Sequence, residues 1–403
     1  MKINNLVLAV SVALLSTAAS AEVITTLANL PNVKPSLQQP ATMIVLTDPG
    51  KEGLFVPAGS TGAVDNAVTI KDGNGTVYKR LVTGPINAGW WLNTAASNNY
   101  DAINKAIAFA PNGGEIYIPP GRYQFLQPIL LLDNKSLTIR SKGTLVFPNT
   151  DGIIVRGRQT LELEKIESAR AYEERPNYAS YTNSGVVLED ATHSDVFVNV
   201  VSGFANGIHL TATGQQGQTY KNQVLGTQYN RVTFNSLYHN KVGIFLNTGK
   251  VSNAPDLVDG AEPWVNENTI TGGAIRGETG LLTVKGANQL DRFNGNKFYN
   301  LGFESVNVAF DLQSARNNLI IAPRFEGDPK PMNFDASSRG NVMITSEVYR
   351  EGLLTNPGSE NIIIGSIMKS GGILAAPIEA SSGITSSNPV STLRPILKNV
   401  EVK

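Results

Sequence analysis

Cysteine is missing from all 403 residues. That excludes disulfides, thiolate nucleophiles and cysteine metal sites together, so core packing and backbone ladders alone must hold the fold. Excess charge is missing too, with 33 basic side chains against 33 acidic ones. Nothing in that balance favours nucleic acid or an anionic membrane surface as a partner. Beyond the first residues no apolar run approaches the length needed to cross a bilayer.

What is present begins with residues 1–21, which read as a secretory signal peptide. Lys2 supplies the positive start, Leu6 through Leu15 the apolar stretch, and Ala19, Ser20 and Ala21 the small-residue cleavage site. Cleavage removes Lys2 and no acid, leaving 32 basic and 33 acidic residues and a net charge of −1. The expected location is periplasmic or secreted, with no membrane insertion and no nucleic acid partner. Residues 22–40 read as a polar, irregular lead-in. Residues 42–85 then offer the short strands MIVL, GLFV, AVTI and VYKRL between Gly- and Asp-rich turns. Together they make a small β-rich section ending near residue 90, with residues 91–403 as one elongated repeat domain.

The stretch YDAINKAIAFAPNGGEIYIPPGRYQF, residues 100–125, carries the most information. Ile103, Ala106, Ile107 and Ala110 fall at helical spacing, PNGG stops that helix, and EIYI alternates as a strand does before the PPG turn. Downstream, an Asn or Asp followed by a short apolar strand recurs at Asp195, Asn230, Asn268, Asn296, Asn318, Asn341 and Asn361. The last four are separated by 22, 23 and 20 residues, a solenoid period of one coil per repeat. A second strand set interleaves with it: GVVL from Gly185, GIHL from Gly207, GIFL from Gly243, GLL from Gly280 and VAFDL from Val308. Asn at a coil corner can hydrogen-bond up and down the stack. Longer steps, 38 residues from Asn230 to Asn268 and 28 to Asn296, mark insertions, including 250–263. Another insertion, 170–183, is rich in tyrosine and charge. Insertions of this kind project from one face and build binding grooves.

Helix, GG stop, strand and PPG turn resemble the start of the pectin-lyase-like right-handed parallel β-helices. The segments TDPGKEGLFVPAG and TIKDGNGTVYKRLVTGPINAGWW resemble the β-rich neck of tailspike-like exopolysaccharide depolymerases and their secreted bacterial relatives. WVNENTITGGAIRG, FNGNKFYNLGFES and ARNNLIIAPRFEG resemble the same group, so the likeness runs over residues 42–327. It implies an all-β fold: a right-handed parallel β-helix with a short capping helix and a small β-rich N-terminal section. It also implies a polysaccharide partner, and the tailspike-like neck raises a homotrimer as a hypothesis. The chain departs from that group where LNTAASNNY, residues 92–100, replaces the usual Gly-Asp-Gly and Asp-Asp-Thr. Asn149, Thr150 and Asp151 match one acidic motif of the polygalacturonases, but no Asp-Asp pair or Gly-His-Gly accompanies it, and the segment also reads as a turn.

Cleaving a polysaccharide takes either two opposed carboxylates or a base with a charge neutraliser. Glu304 and Glu326 sit in similar contexts 22 residues apart. Stacked about 4.8 Å apart, they would raise one carboxyl's pKa, as a general acid requires. The structural alternative is a pair of exposed acids neutralised by Arg324 and Arg292. Tyr238 and His239 form a lyase-type base pair, and Arg276 and Arg324 are charge neutralisers. Glu267, Asp311, Arg292 and Trp264 are candidates for binding substrate. His209, inside GIHL, reads as packed or groove-lining, and Trp90 and Trp91 as core. No cofactor is expected; the acidic group Asp256, Asp259 and Glu262 reads as a solvated loop or a calcium site. The sequence therefore leads to an exported glycoside hydrolase or polysaccharide lyase acting on a bacterial exopolysaccharide, linked to its biosynthesis or turnover. The alternative is a non-catalytic carbohydrate-binding or assembly protein on the same scaffold.

Overall fold

The computed structural model describes residues 21–35, 41–59, 63–174, 176–212, 226–248, 264–284, 293–326, 331–350, 354–355, 358, 360–368 and 380–381. The signal-peptide reading up to residue 20, the 250–263 insertion and most of the small-residue-rich region after residue 370 lie outside them. The chain divides into two compact units, Met1–Pro85 with Gly89–Trp91, and Ile86–Ala88 with Leu92–Lys403.

The first unit is a five-stranded sheet. Its antiparallel part, Ala41–Leu46, Gly53–Gly59, Thr69–Lys71 and Val77–Arg80, matches the four strands read from the sequence. The lead-in is not irregular: Ala21–Thr25 adds a parallel strand against Ala41–Leu46, and Leu30 in the short turn of helix that follows is buried. Alternation explains the error. Val23 faces the core cluster while Ile24 is exposed, a period of two too short to stand out among polar neighbours. Ile44, Leu46, Phe55, Ile70 and Tyr78 fill the core. Arg80 is buried over the rings of Phe55 and Trp90, and its guanidinium donates to the carbonyls of Lys51, Glu52 and Ala67. Trp90 is buried and Trp91 Nε1 donates to Asp65, so both are structural, as expected.

The second unit is a right-handed parallel β-helix. Helix α1, Tyr100–Phe109, buries Ile103 and Ala106 against the first coil, touching Ile86–Asn87 and Ile129–Leu131. Its C-terminal carbonyls at Ile107 and Ala108 accept from Lys135 Nζ at 2.6 and 3.2 Å, a cation where the helix dipole is negative. Each coil then has three faces. Ile139, Leu161, Val196, Val232, Ile270 and Phe298 stack inward on the first face. On the second the inward column is Tyr123, Leu145, Ile166, Val201, Leu237, Ile275, Phe303 and Phe325. On the third it is Ile153, Val186, Ile208, Ile244, Leu281, Phe310 and Met332. All of these are buried. In a strand, neighbours of an inward residue point outward, so each face exposes a second pair of columns.

The corner before the first face is a buried amide ladder. Asn230, Asn268, Asn296, Asn318, Asn341 and Asn361 are each 3% exposed or less. The backbone N–H and, in most coils, the side-chain Nδ2 of one donate to Oδ1 of the next at 2.8–3.1 Å. The earlier coil differs from the sequence reading. Ser194, not Asp195, occupies the ladder, bonded to Asn230 above and Gln159 below, and Asp195 begins the strand.

Replacing Asn268 by alanine leaves the buried Asn230 N–H without its acceptor and removes the side-chain donor to the Thr227 carbonyl, while Asn230 Nδ2 keeps the Ala191 carbonyl and Asn296 Oδ1 keeps the residue 268 N–H. At about 1–3 kcal/mol for each buried unpaired group, Asn268→Ala should cost about 2 kcal/mol or more. Asn235→Ala, on an exposed amide pair, should stay within about 0.5 kcal/mol. Urea unfolding of the two variants against the parent checks both.

Candidate functional site

The outward residues of the second face decide what this molecule can do. One column runs Glu167, Ser202, Tyr238 and Arg276 in direct backbone register, then Glu304 and Glu326, which pair with each other; Arg276 and Glu304 directly follow the paired Ile275 and Phe303. Its companion, two residues earlier in each strand, runs Lys165, Val200, Ser236, Ala274, Gly302 and Arg324. Glu304 and Glu326 are therefore direct neighbours one coil apart, as the 22-residue step requires.

Glu304 is the centre of the cluster. Its Oε2 accepts from Arg276 Nε and Nη2 at 3.1 and 2.8 Å, and its Oε1 accepts from Arg324 Nη2 at 2.8 Å. The carboxylate is 9% exposed, whereas the Arg276 and Arg324 side chains are 45% and 62% exposed. Burial alone pushes the Glu304 carboxyl up. The hydrogen bond and charge of Arg276, the charge of Arg324 and a hydrogen bond from Glu326 outweigh it and hold the group below the usual glutamate range. The sequence leads one to expect a raised pKa at one member of the pair, and at Glu304 the direction is downward. Nor are both acids exposed: Glu326 is, Glu304 is not.

Tyr238 and His239 stand beside this cluster. The backbone at His239 is left-handed, with φ 54°, and the strand register slips by one residue between Tyr238 and Asn240. A bulge of this kind breaks the alternation and re-aims side chains. The Tyr238 and His239 rings stack at 4.0 Å between centroids, and His239 Nδ1 is buried without a hydrogen-bond partner. Arg276 Cζ lies 5.7 Å from the Tyr238 ring centroid. The 170–183 insertion brings Tyr178 near Tyr238 and Glu278; burial and then those two charges raise the Tyr178 pKa.

The other candidates do not join them. Trp264 and Glu267 are at the corner before the first face, where Trp264 Nε1 donates to Gln228 at 2.8 Å and Glu267 sits in a left-handed turn. Asp311 is on the third face, accepting from Asn333 Nδ2 at 2.6 Å. The register thus sets Asp311 on a different face from Trp264 and Glu267, and none of the three on the second face. Arg292, Asp256, Asp259 and Glu262 lie outside the described residues. Among the described residues no group of three or more His, Asp or Glu side chains is placed to hold a metal, and no helix is long and apolar enough to cross a membrane. His209 is packed on the third face: Nε2 donates to Asn247 at 2.8 Å, Nδ1 faces Ser184 Oγ at 3.2 Å, and burial lowers its pKa. Asp151 Oδ1 accepts the Ser184 N–H, which agrees with reading that segment as a turn.

Sequence reasoning missed Tyr178, Glu167, Lys165 and Arg122. The signal was there for Glu167: counting back 35 residues from Ser202 in the same strand pattern lands on it.

A family model described as "Rhamnogalacturonase A/epimerase, pectate lyase-like" matches residues 91–326. The chain belongs to this family. The matched span covers α1, the coils as far as Glu326 and every residue of the Glu304 cluster. No curated protein matches the chain significantly. Among solved structures, Pantoea stewartii WceF, described as a glycan biofilm modifying enzyme with a tailspike-like parallel β-helix fold, is 10% identical with a TM-score of 0.49. That match covers 91% of this chain and 54% of WceF. The gp42 tailspike of Acinetobacter phage vb_AbaP_AS12 is 10% identical at TM-score 0.48, covering 92% and 78% of the two chains. ORF18 of Geobacillus virus E2 is 12% identical at 0.45, covering 87% and 75%. These values carry no argument about chemistry.

A depressed Glu304 pKa makes its ionised form stabilising. That stabilisation is complete above the unfolded-chain value of about 4.3 and is lost as pH falls through the lower folded value. Glu167, whose pKa is also lowered, acts in the same direction. The urea midpoint should hold from pH 7 to pH 5 and drop below about pH 4. Glu304→Gln should make that acid-side drop shallower, and an unchanged slope would refute the assignment.

Proposed function

We propose that this chain is a polysaccharide-active enzyme that cleaves an acidic glycan by β-elimination on the second face of its β-helix. One observation carries the reading: two exposed guanidinium groups, Arg276 and Arg324, are fixed by a single buried carboxylate beside a stacked tyrosine–histidine pair. Both Glu304 oxygens are occupied by guanidinium N–H groups, so Glu304 positions the arginines and is not free to attack a sugar or activate water. Glu304 and Glu326 stand side by side on one face, directly opposed in backbone register. Glycosidase pairs stand about 5 Å apart or more, because they work from opposite sides of a sugar ring.

The residues present divide the work of an elimination. Arg276 and Arg324 receive the uronate carboxylate and stabilise the negative charge that grows on it as the neighbouring C–H bond breaks. Tyr238, next to Arg276 and with His239 against its ring, takes that proton on its deprotonated phenol oxygen. The electron pair forms the C4–C5 double bond, the C4–O bond breaks, and the Tyr238 hydroxyl formed in the first step returns the proton to the leaving oxygen. Export to the periplasm or beyond, and a role in exopolysaccharide biosynthesis or turnover, follow from the signal-peptide reading and belong to the same proposal. So does a homotrimer, for which a solution mass is the check.

The test is incubation with purified acidic and neutral exopolysaccharides while following chain length and the ultraviolet absorbance of unsaturated uronate. Shortened acidic chains with new absorbance are expected. Arg276→Gln should lower kcat/KM by about 100-fold or more, and Tyr238→Phe by a similar factor. Shortened chains without absorbance would make the enzyme a hydrolase. Binding without shortening across the panel would make the chain a carbohydrate-binding protein.

A further inference from the structure

We propose that Arg122 and Lys165 form a second anion-binding subsite on the same face, so that one acidic glycan is gripped at two separated points. This rests on the glycan reading above. Glu167 occupies the Glu304 position four coils earlier, and its carboxylate is fully buried, with 0% side-chain exposure. It accepts from the Arg122 guanidinium, the Lys165 ammonium and the Tyr172 hydroxyl. The Arg122 and Lys165 side chains are 56% and 30% exposed, and Tyr172 is 67% exposed. The construction repeats that of the Glu304 cluster: one buried carboxylate, two outward cationic heads and a nearby tyrosine.

A buried carboxylate is costly unless fully compensated, and the elimination chemistry has no use for this one. Two cations against one anion leave a net charge of +1. Arg122 spends one of its five N–H donors on Glu167, so most of the guanidinium remains available to a ligand. Four strand spacings separate the two buried carboxylates, about 19 Å. One coil rise, about 4.8 Å, is comparable to one pyranose of an extended chain. Along the strip between Lys165 and Arg324 stand Val200, Ser236, Ala274 and Gly302, none large enough to block a sugar. Exposed amides border it: Asn235 Nδ2 donates to Asn199 at 2.9 Å, and Asn199 Nδ2 to Glu164 at 2.8 Å. The arrangement suits a polyanionic chain lying along the solenoid axis, with acidic groups about four residues apart meeting the two cation pairs.

The experiment measures calorimetric binding of size-fractionated oligouronates, prepared from polygalacturonate, alginate and hyaluronate, with neutral dextran oligomers as the control. A Tyr238→Phe background slows turnover without touching either cation pair. The dissociation constant of at least one uronate series should tighten about tenfold or more, the worth of one charge-assisted contact, once the chain spans both clamps at about five to six residues. Arg122→Gln should abolish that step while leaving shorter oligomers unaffected, and Arg122→Lys, which keeps the charge, should retain it. Absence of a length step, a step that survives Arg122→Gln, the same step with dextran, or no uronate binding would each overturn the proposal. The two readings fail separately: a step without product formation refutes cleavage alone, and cleavage without a step refutes the second clamp alone.

Discussion

Every coil of a solenoid must hand the chain to the next in the same register, and in this chain the amide ladder from Ser194 to Asn361 enforces it. Each Asn from Asn268 to Asn361 accepts on Oδ1 from the preceding coil while its buried Nδ2 donates to a ladder Oδ1 or a backbone carbonyl, so a coil displaced by one residue would strand buried donors and acceptors. Hydrophobic stacking alone is more permissive, since Ile, Val, Leu and Phe exchange freely along the inward columns. The ladder is directional, and it supplies the discrimination that apolar packing lacks. In a chain without cysteine, it takes the place a covalent staple would have.

Register is what turns distant sequence into one site. The steps along the second-face column are 35, 36, 38, 28 and 22 residues from Glu167 to Glu326, yet the strands that carry it stay paired coil on coil. The difference is absorbed in the connections between faces, so the column is indifferent to loop length. A carboxylate placed one coil from two arginines can then fix both. Its desolvation cost is offset because each of its oxygens meets a guanidinium. The same bonds that bury Glu304 also take away its freedom to act as an acid, which moves the chemistry to the groups around it.

Much of this was legible in the sequence. The helix, GG stop, strand and PPG turn were readable because each carries its own local signal, and the Asn steps of 22, 23 and 20 residues exposed the period. Glu304 and Glu326 were brought together for the same reason. What escaped detection depended on partners rather than spacing. The sign of the Glu304 shift is set by Arg276, which lies 28 residues away and reaches Glu304 only through the register. Glu267 and Asp311 look as suitable as Glu304 in isolation, and only the face to which a strand belongs excludes them. The strand at Ala21–Thr25 was hidden because it is stabilised by pairing with Ala41–Leu46, with little apolar pattern of its own.

The left-handed residue at His239 shows how such a scaffold acquires a site without losing its stack. A strictly alternating strand would direct Tyr238 and His239 to opposite sides, placing the imidazole in the core. Letting the register slip between Tyr238 and Asn240 keeps Asn240 buried, where its Oδ1 accepts from the Phe204 N–H and its Nδ2 donates to the Val201 carbonyl. The stacked ring pair is left outside the ladder contacts. The cost is a strained backbone and an unpartnered ring nitrogen, each of the kind that persists where the surrounding structure over-determines it. Both features fall within one residue of Tyr238, beside Arg276 and under Tyr178. The same left-handed corner follows the second-face strand at Gly203 and Ser305 in other coils, so the bend belongs to the scaffold, and at His239 it carries a ring.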